Sequence, residues 1–387
     1  MINTLVSKLL RLSPIGLLLM IGCTQPHPAS TYPEPFYGEL LLGDSLISAE
    51  PQEKTEREFK ERATVVNRTF TVSPDSASDD TPAEIIMAVP VYAGVDENEE
   101  YLFLMDQESL IINKYALAQG ELIDVFQYAS ENQTLLKSSR LLSAQNGELW
   151  ISGNGKKKQV LRLNQKGEFL GFIDNPYRGG VFDVAAGKYL HYNLNDPELF
   201  HVYNKQGKRE KSFGVLASGR THLTQEYRHL MGHGLGFSGD VKTDGKGAFI
   251  FAGYYGGGLL SYNVDGSLRF FRETMDHNAF PPTPFMDGNG GRKIVDRDSV
   301  RSQQMPINVW NGVFYQNVFL NEEERMVVDA YAYDSGDYLY SLPVNWEECG
   351  YIFITDNHIY ANCKQGFVQL ERPAQEIDLL VSEHLKN

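Results

Sequence analysis

The feature that most constrains this 387-residue chain is a hairpin template that recurs along it. Three segments share it: VLRLNQKGEFLGFI at 160–173, FHVYNKQGKREKSF at 200–213 and LLSYNVDGSLRFF at 259–271. Each passes from Leu or Tyr through Asn and two further residues to Gly: Leu163-Asn164 to Gly167, Tyr203-Asn204 to Gly207, Tyr262-Asn263 to Gly266. A glycine takes positive φ without a Cβ penalty, and alternating apolar residues on both sides predict antiparallel strands joined by a tight turn. Looser copies occupy 112–126, 327–342 and 359–370. The six turn glycines, Gly120, Gly167, Gly207, Gly266, Gly336 and Gly366, are separated by 47, 40, 59, 70 and 30 residues. Their mean spacing, about 49, is near that of one four-stranded propeller blade. Further strand pairs precede most of these hairpins, such as GELWISG (147–153) and GAFIFAG (247–253). The pattern predicts an all-β fold, a six-bladed β-propeller of four-stranded antiparallel blades over 84–372. Ring closure removes the long open edges that Tyr- and Val-rich strands would otherwise expose. A two-sheet sandwich is the alternative, and it would not favour one turn motif at blade-like intervals.

The last blade shows only three strands, at 350–354, 358–363 and 367–371, so its fourth is expected from the other chain end. ATVVNRTFTV (63–72) and EIIMAVPVY (84–92) both serve, and the second is favoured because it abuts the first hairpin. The tail, 373–387, reads as a short amphipathic helix or a frayed end.

At the amino terminus, Lys8 and Arg11 precede the apolar run Leu12 to Gly22, which Cys23 follows. The run is too short to cross a hydrocarbon core, which needs about 20 residues. Its basic start, apolar centre and small Gly22 predict a signal peptide over 1–22. LMIGC (19–23) resembles a bacterial lipoprotein lipobox, with Met20 a departure from the more usual Leu. The resemblance implies cleavage before Cys23 and lipid attachment to its thiol, with acyl chains holding the protein on a membrane. An ordinary cleaved signal with an incidental cysteine is the other reading. Thr24 in place of Asp, and the absence of an acidic export run, imply an outer-membrane anchor facing the periplasm. Residues 24–36 carry four prolines and read as an extended spacer. With the polar break at 73–83, they make 23–83 a tether and N-terminal extension. The formal net charge of −15 has the wrong sign for a nucleic-acid binder.

Together the lipobox, the YN-x-x-G hairpins and the closing run YAYDSGDYLYSLPV with IFITDNHIYANC give a resemblance to a family. Over most of 85–372 the chain resembles the six-bladed, TolB-like propeller lipoproteins of Bacteroidetes. That resemblance implies a fold and a cell-envelope location more than a chemistry.

Beyond the lipid-bearing thiol, Cys349 and Cys363 remain, and an even pair in an oxidising compartment invites a disulfide. A three-residue loop at Thr355-Asp356-Asn357 places them opposite one another; a two- or four-residue loop offsets them, and two free buried thiols are the other outcome. His229 and His233 stand four apart, but they lack the Glu of a zinc helix and Gly232 weakens a helix there, so no metal is assigned. DENEE (96–100) lacks the glycine of an EF-hand loop and reads as a solvated turn. No GxSxG occurs and no nucleophile, base and acid combine, so no catalytic residue and no cofactor is assigned.

Residues just before each innermost strand converge on one mouth of a propeller channel. Lys137 and Arg140 precede the second blade, Tyr177 and Arg178 the third, Tyr227, Arg228, His229 and His233 the fourth, and Arg292 the fifth. Cations gathered there focus an anionic ligand, and Arg suits carboxylate or phosphate while Tyr offers a stacking face. Tyr177, Arg178, Arg228, His233 and Arg292 are therefore the expected binding residues; surface charges balancing nearby acids are the bland alternative. The insertion at 274–306, with Phe280, Phe285 and Arg292, reads as a lid or partner contact, or as an exposed blade insertion. These features point to a membrane-anchored envelope propeller without catalysis that binds a partner protein or an anionic small ligand or glycan. A propeller hydrolase or lyase acting on an envelope or dietary carbohydrate is the alternative.

Overall fold

The Asn and Gly of the template build the turn between them. Asn164 Oδ1 accepts from the Lys166 and Glu168 amides, both at 2.9 Å, and Asn204 Oδ1 accepts from the Gln206 and Lys208 amides at 3.0 Å. The Gly167, Gly207 and Gly266 amides donate back to the carbonyls of Asn164, Asn204 and Asn263. All six turn glycines have positive φ, from 71° at Gly120 to 114° at Gly366. A bulge follows the turn in the third-to-fourth strand pair of each of the first five blades, for instance between Val202 and Tyr203, and such bulges increase the local twist.

In a computed structural model the described residues are 39–42, 45–60, 66–70, 91–106, 111–128, 140–144, 146–152, 159–174, 182–192, 198–216, 239–254, 258–276, 284–286, 293–295, 302–320, 323–344, 349–363 and 366–372. Every regular element among them is a strand. Three short strands come first, β1 (Glu39–Leu42), β2 (Ser45–Ser48) and β3 (Val66–Phe70). Blade 1 follows as β4 (Val91–Val95), β5 (Tyr101–Asp106), β6 (Ile111–Ala116) and β7 (Glu121–Gln127). Blade 2 is β8 (Arg140–Ser143), β9 (Glu148–Ser152), β10 (Gln159–Asn164) and β11 (Phe169–Asp174). Blade 3 is β12 (Phe182–Ala185), β13 (Lys188–Tyr192), β14 (Glu198–Tyr203) and β15 (Arg209–Leu216). Blade 4 is β16 (Gly239–Lys242), β17 (Ala248–Gly253), β18 (Gly258–Asn263) and β19 (Leu268–Glu273). A separate hairpin, β20 (Pro284–Met286) with β21 (Lys293–Val295), lies in the 274–306 insertion. Blade 5 is β22 (Ser302–Trp310), β23 (Val313–Leu320), β24 (Arg325–Ala332) and β25 (Tyr338–Pro343). Blade 6 contributes β26 (Cys349–Ile354), β27 (His358–Cys363) and β28 (Gly366–Glu371).

The strands of each blade pair antiparallel in chain order, and the first strands touch in a cycle: β4 with β8, β8 with β12, β12 with β16, β16 with β22, β22 with β26, and β26 with β4. That cycle makes a closed six-bladed propeller. The core lies in the seams between blades, and each seam has its own buried cluster. Phe103 and Ile112 meet Leu149 and Leu161 between blades 1 and 2, while Phe200 and Leu190 meet Phe249 and Phe251 between blades 3 and 4. Tyr315 and Val328 meet Ile354 and Ile359 between blades 5 and 6, and Leu102 and Tyr115 meet Phe367 and Tyr360 where the ring closes.

The missing strand of blade 6 is β3, paired antiparallel with β28 through Phe70 and Phe367. The favoured segment, 84–92, does not fill that place: its last residues, Val91 and Tyr92, open β4 and pair with Asp106 and Met105 in blade 1. Adjacency in sequence to blade 1 is thus the mark of that blade's own first strand. The sixth turn glycine also sits differently. Gly366 follows the β27–β28 turn, whereas the other five lie between third and fourth strands, because blade 6 has no covalent link between its third and fourth strands. Cys349 and Cys363 are joined by a disulfide across the first two strands of blade 6. The register reaches this pairing through Ile354 opposite Ile359, one residue beyond the His358 that a three-residue loop would pair with it, and a bulge between Tyr351 and Phe353 restores the alignment.

The described residues between 39 and 70 run as a belt over the outer strands of blades 3, 4 and 5 and supply the fourth strand of blade 6. β1 pairs with β15 of blade 3 at Leu41–Val215 and Leu40–Leu216. Glu50 bridges Arg272 of β19 in blade 4, and Phe59 bridges Ser341 of β25 in blade 5. β3 then completes blade 6. Between the bridges, the buried Gln52 amide donates to the carbonyls of Glu273 and Gly336, and its oxygen accepts from the Tyr338 amide. Arg57 reaches Asp329 on β24 through two nitrogens, at 2.9 and 2.8 Å, and Asp276 at 2.7 Å. Burial opposes the Arg57 charge, but the two carboxylates outweigh it and raise its pKa.

Candidate functional site

Two places stand out chemically, one near the axis of the ring and one on its rim. On the innermost strands of blades 3 and 4, Phe182-Asp183-Val184 and Gly239-Asp240-Val241 repeat an Asp-Val pair. In both, the carboxylate folds back on the next amide: Val184 donates to Asp183 at 2.8 Å and Val241 to Asp240 at 2.9 Å. The second oxygen of Asp183 crosses the seam and accepts from the Thr243 amide at 3.0 Å. Lys242 pairs with Asp240 at 3.1 Å. Burial pushes the Asp183 carboxyl up to about 7, against the pull of Lys242 and of the two amides, and Asp240 adds to the rise. A carboxyl poised there can hold or release a proton near neutrality. Among the described residues no group of three His, Cys, Asp or Glu side chains is placed to hold a metal ion.

The rim site is apolar. β7 of blade 1 and β11 of blade 2 end their sheets, and no further strand pairs with them among the described residues. Leu122, Ile123 and Val125 on β7 are 43, 48 and 40% exposed; Phe169, Leu170 and Phe172 on β11 are 61, 44 and 41% exposed. These six make up most of the large exposed hydrophobics among the described residues, the others being Phe59 and Met305. Phe169 and Phe172 lean on each other with ring centroids 5.1 Å apart.

The binding residues expected from the sequence, Tyr177, Arg178, Arg228, His233 and Arg292, lie outside the described residues, as do Cys23, Lys137 and His229. Arg140 is the first residue of β8, within the innermost strand of blade 2 rather than in the segment before it. DENEE forms the turn between β4 and β5, with Asp96 accepting from the Glu100 and Tyr101 amides at 2.8 and 2.6 Å. Sequence reading missed Asp183 and Asp240, whose signal is the repeated Asp-Val dipeptide opening consecutive blades. It also missed the rim, whose signal is the exclusively apolar and acidic content of ELIDVFQ and FLGFID apart from one Gly and one Gln.

No family model matches the chain, and no curated protein matches it. Solved structures do. A member of the DUF4221 family from Bacteroides vulgatus superposes with a TM-score of 0.46 at 9% identity, covering 74% of this chain and 93% of that one. A candidate exported protein of Bacteroides fragilis gives a TM-score of 0.46 at 10% identity, with 76% and 98% covered. BamB from Moraxella catarrhalis gives 0.38 at 14% identity, with 72% and 83% covered.

Proposed function

We propose that this chain is a non-catalytic propeller of the cell envelope, held by lipid on Cys23 at the periplasmic face of the outer membrane, that binds a partner protein. The LMIGC run supports the anchor, and the Cys349–Cys363 disulfide is a bond that persists in oxidising compartments. One observation carries the binding function: among the described residues, two neighbouring blades present outer strands that no further strand covers and whose apolar side chains are exposed. Contiguous exposed apolar surface of this kind marks interaction sites on soluble domains. An anionic ligand or glycan at Tyr177, Arg178, Arg228, His233 and Arg292 is a compatible second cargo, read from sequence position. The experiment has two parts. Cys23→Ser should move the protein from the membrane to the soluble fraction, and crosslinking of envelopes should join the wild type to a defined protein. A wild type recovered uncrosslinked overturns the binding function.

A second reading, a hydrolase or lyase acting on carbohydrate, is favoured by Asp183 and its carboxyl near neutrality on an innermost strand. Turnover of an envelope or dietary glycan that Asp183→Asn abolishes would select it.

A further inference from the structure

The bare rim has a specific form. We propose that the outer edges of blades 1 and 2 take up an extended segment of a partner protein, alternating branched apolar with basic residues, as an added β-strand. This deepens the partner-binding function above and rests on it.

The ring itself supplies the precedent. On blades 3, 4 and 5 an extended part of this chain lies against the outermost strand and pairs with it, and on blade 6 it supplies the fourth strand itself. The Glu50 amide donates to Phe271 O and the Glu273 amide to Glu50 O, both at 2.9 Å. The Lys60 amide donates to Ser341 O and the Ser341 amide to Glu58 O. Outer strands of this propeller are therefore built to accept another strand. β7 and β11 have the same position in their sheets and no such neighbour among the described residues.

Edges left open in soluble proteins are normally guarded by charge, especially Lys, or by Pro. Blade 3 follows that rule within one strand: β15 is covered by β1 at Val215 and Leu216, and its uncovered start is the charged Arg209-Glu210-Lys211. β7 (ELIDVFQ) and β11 (FLGFID) lack the Lys and Pro guards, and their only charges are the carboxylates of Glu121, Asp124 and Asp174. Their outward apolar residues are what a partner strand would cover, as in recognition by strand addition.

The charges choose the partner. Glu121 and Asp124 lie on β7, and Glu168 precedes β11 while Asp174 ends it, so acids flank the apolar residues; Lys114 on β6 stands opposite Asp124, and neither β7 nor β11 carries a cation of its own. A second copy of this acidic chain would bring like charges together, which is unfavourable across paired strands. A segment with Lys or Arg between Val, Ile or Phe meets both features. The internal belt passes from its blade 4 bridge at Glu50 to its blade 5 bridge at Phe59, so a partner segment of similar length can pass from one bare blade to the next.

The test uses the soluble Cys23→Ser chain and a synthetic peptide of about ten residues alternating valine and lysine, long enough to pair along one strand and beyond. Fluorescence anisotropy should show binding by this chain. Adding Val125→Lys with Leu170→Lys should weaken binding about tenfold or more, with the thermal midpoint unchanged. A peptide alternating valine and glutamate should not bind. Equal binding of the glutamate peptide, or unchanged affinity in the lysine variant, overturns the assignment. So does self-association of the parent chain in sedimentation that the two lysines abolish, since the edge then belongs to a second copy. Envelope crosslinking separates the two levels. A partner captured by the membrane-anchored wild type and its lysine variant alike overturns the edge and leaves the binding function, whereas a wild type that captures none overturns both.

Discussion

Among the described residues, blades 3 to 5 wear a belt that goes on to supply the fourth strand of blade 6, blades 1 and 2 have no such cover, and the outer strands differ accordingly. Under the belt, β25 is largely buried and β19 at least half-buried, whereas most of β7 is exposed on both faces. Inner strands of all six blades are alike in kind, because every seam needs an apolar filling. Outer strands have no such common duty, so their composition records what lies over them. Two apolar outer strands with nothing over them among the described residues are therefore a sign of a surface meant to be covered.

The comparison can be broken from the belted side. Arg57→Ala leaves Asp329 and Asp276 buried without their cation, which costs about 3–5 kcal/mol when one partner of a buried pair is removed. Urea unfolding should show that loss, and limited proteolysis should cut within 50–60 in the variant first. An equal loss from removing a charge on β7, such as Asp124→Ala, would erase the distinction between the two halves.

The seam between the belted blades 3 and 4 gives a pH signature. Burial raises Asp183 from 3.8 to about 7, so between about pH 4 and 7 the folded chain keeps a proton that the unfolded chain has lost. Its contribution is complete below pH 4 and is lost as pH rises to 7, on the order of 4 kcal/mol in all. Asp183→Asn should flatten that slope in urea midpoints measured across the range.

Smaller effects concern closure. Replacing Cys349 and Cys363 by Ser removes a link across 14 residues and should cost about 3 kcal/mol. Calorimetry on oxidised and reduced wild type reads the same quantity. Smallest is a pair of glycines. Gly266→Ala combines positive φ with a Cβ 2.7 Å from Phe213 in the preceding blade, whereas Gly147→Ala meets the same backbone strain and no neighbour within 4 Å. The first should cost more than the second, which is expected near 1 kcal/mol. Equal thermal shifts would show that the turn glycines do not seat one blade against the next.

The ring was legible because its turns repeat a chemistry that few residues can perform. Asn164 and Asn204 hold their turns with side-chain oxygens and the following glycine accepts positive φ, so the sequence repeats wherever the geometry does. The belt was not legible. It pairs through single bridges at Glu50 and Phe59 and through polar anchors such as Gln52 and Arg57, which leave no alternation in a stretch reading EPQEKTEREFK. Such charged, Pro-containing composition looks like a tether, and only distant partners, Asp329 among them, reveal the burial of its Arg. The closing strand lay within one of two candidate segments, 63–72, and was passed over because VNRTF is short and a more apolar candidate stood nearer blade 1. Of the axial pair, the repeated Asp-Val was visible, but the raised pKa of Asp183 comes from its burial in the seam.

The belt also orders events in time. Val66–Phe70 finds its place only against β28, so this segment waits for strands made much later in the chain before it can dock. Contacts so far apart in sequence slow folding. A chain interrupted anywhere before Glu371 would have at most five finished sheets and a loose strap, and a protease would meet it as an open coil of blades with no latch.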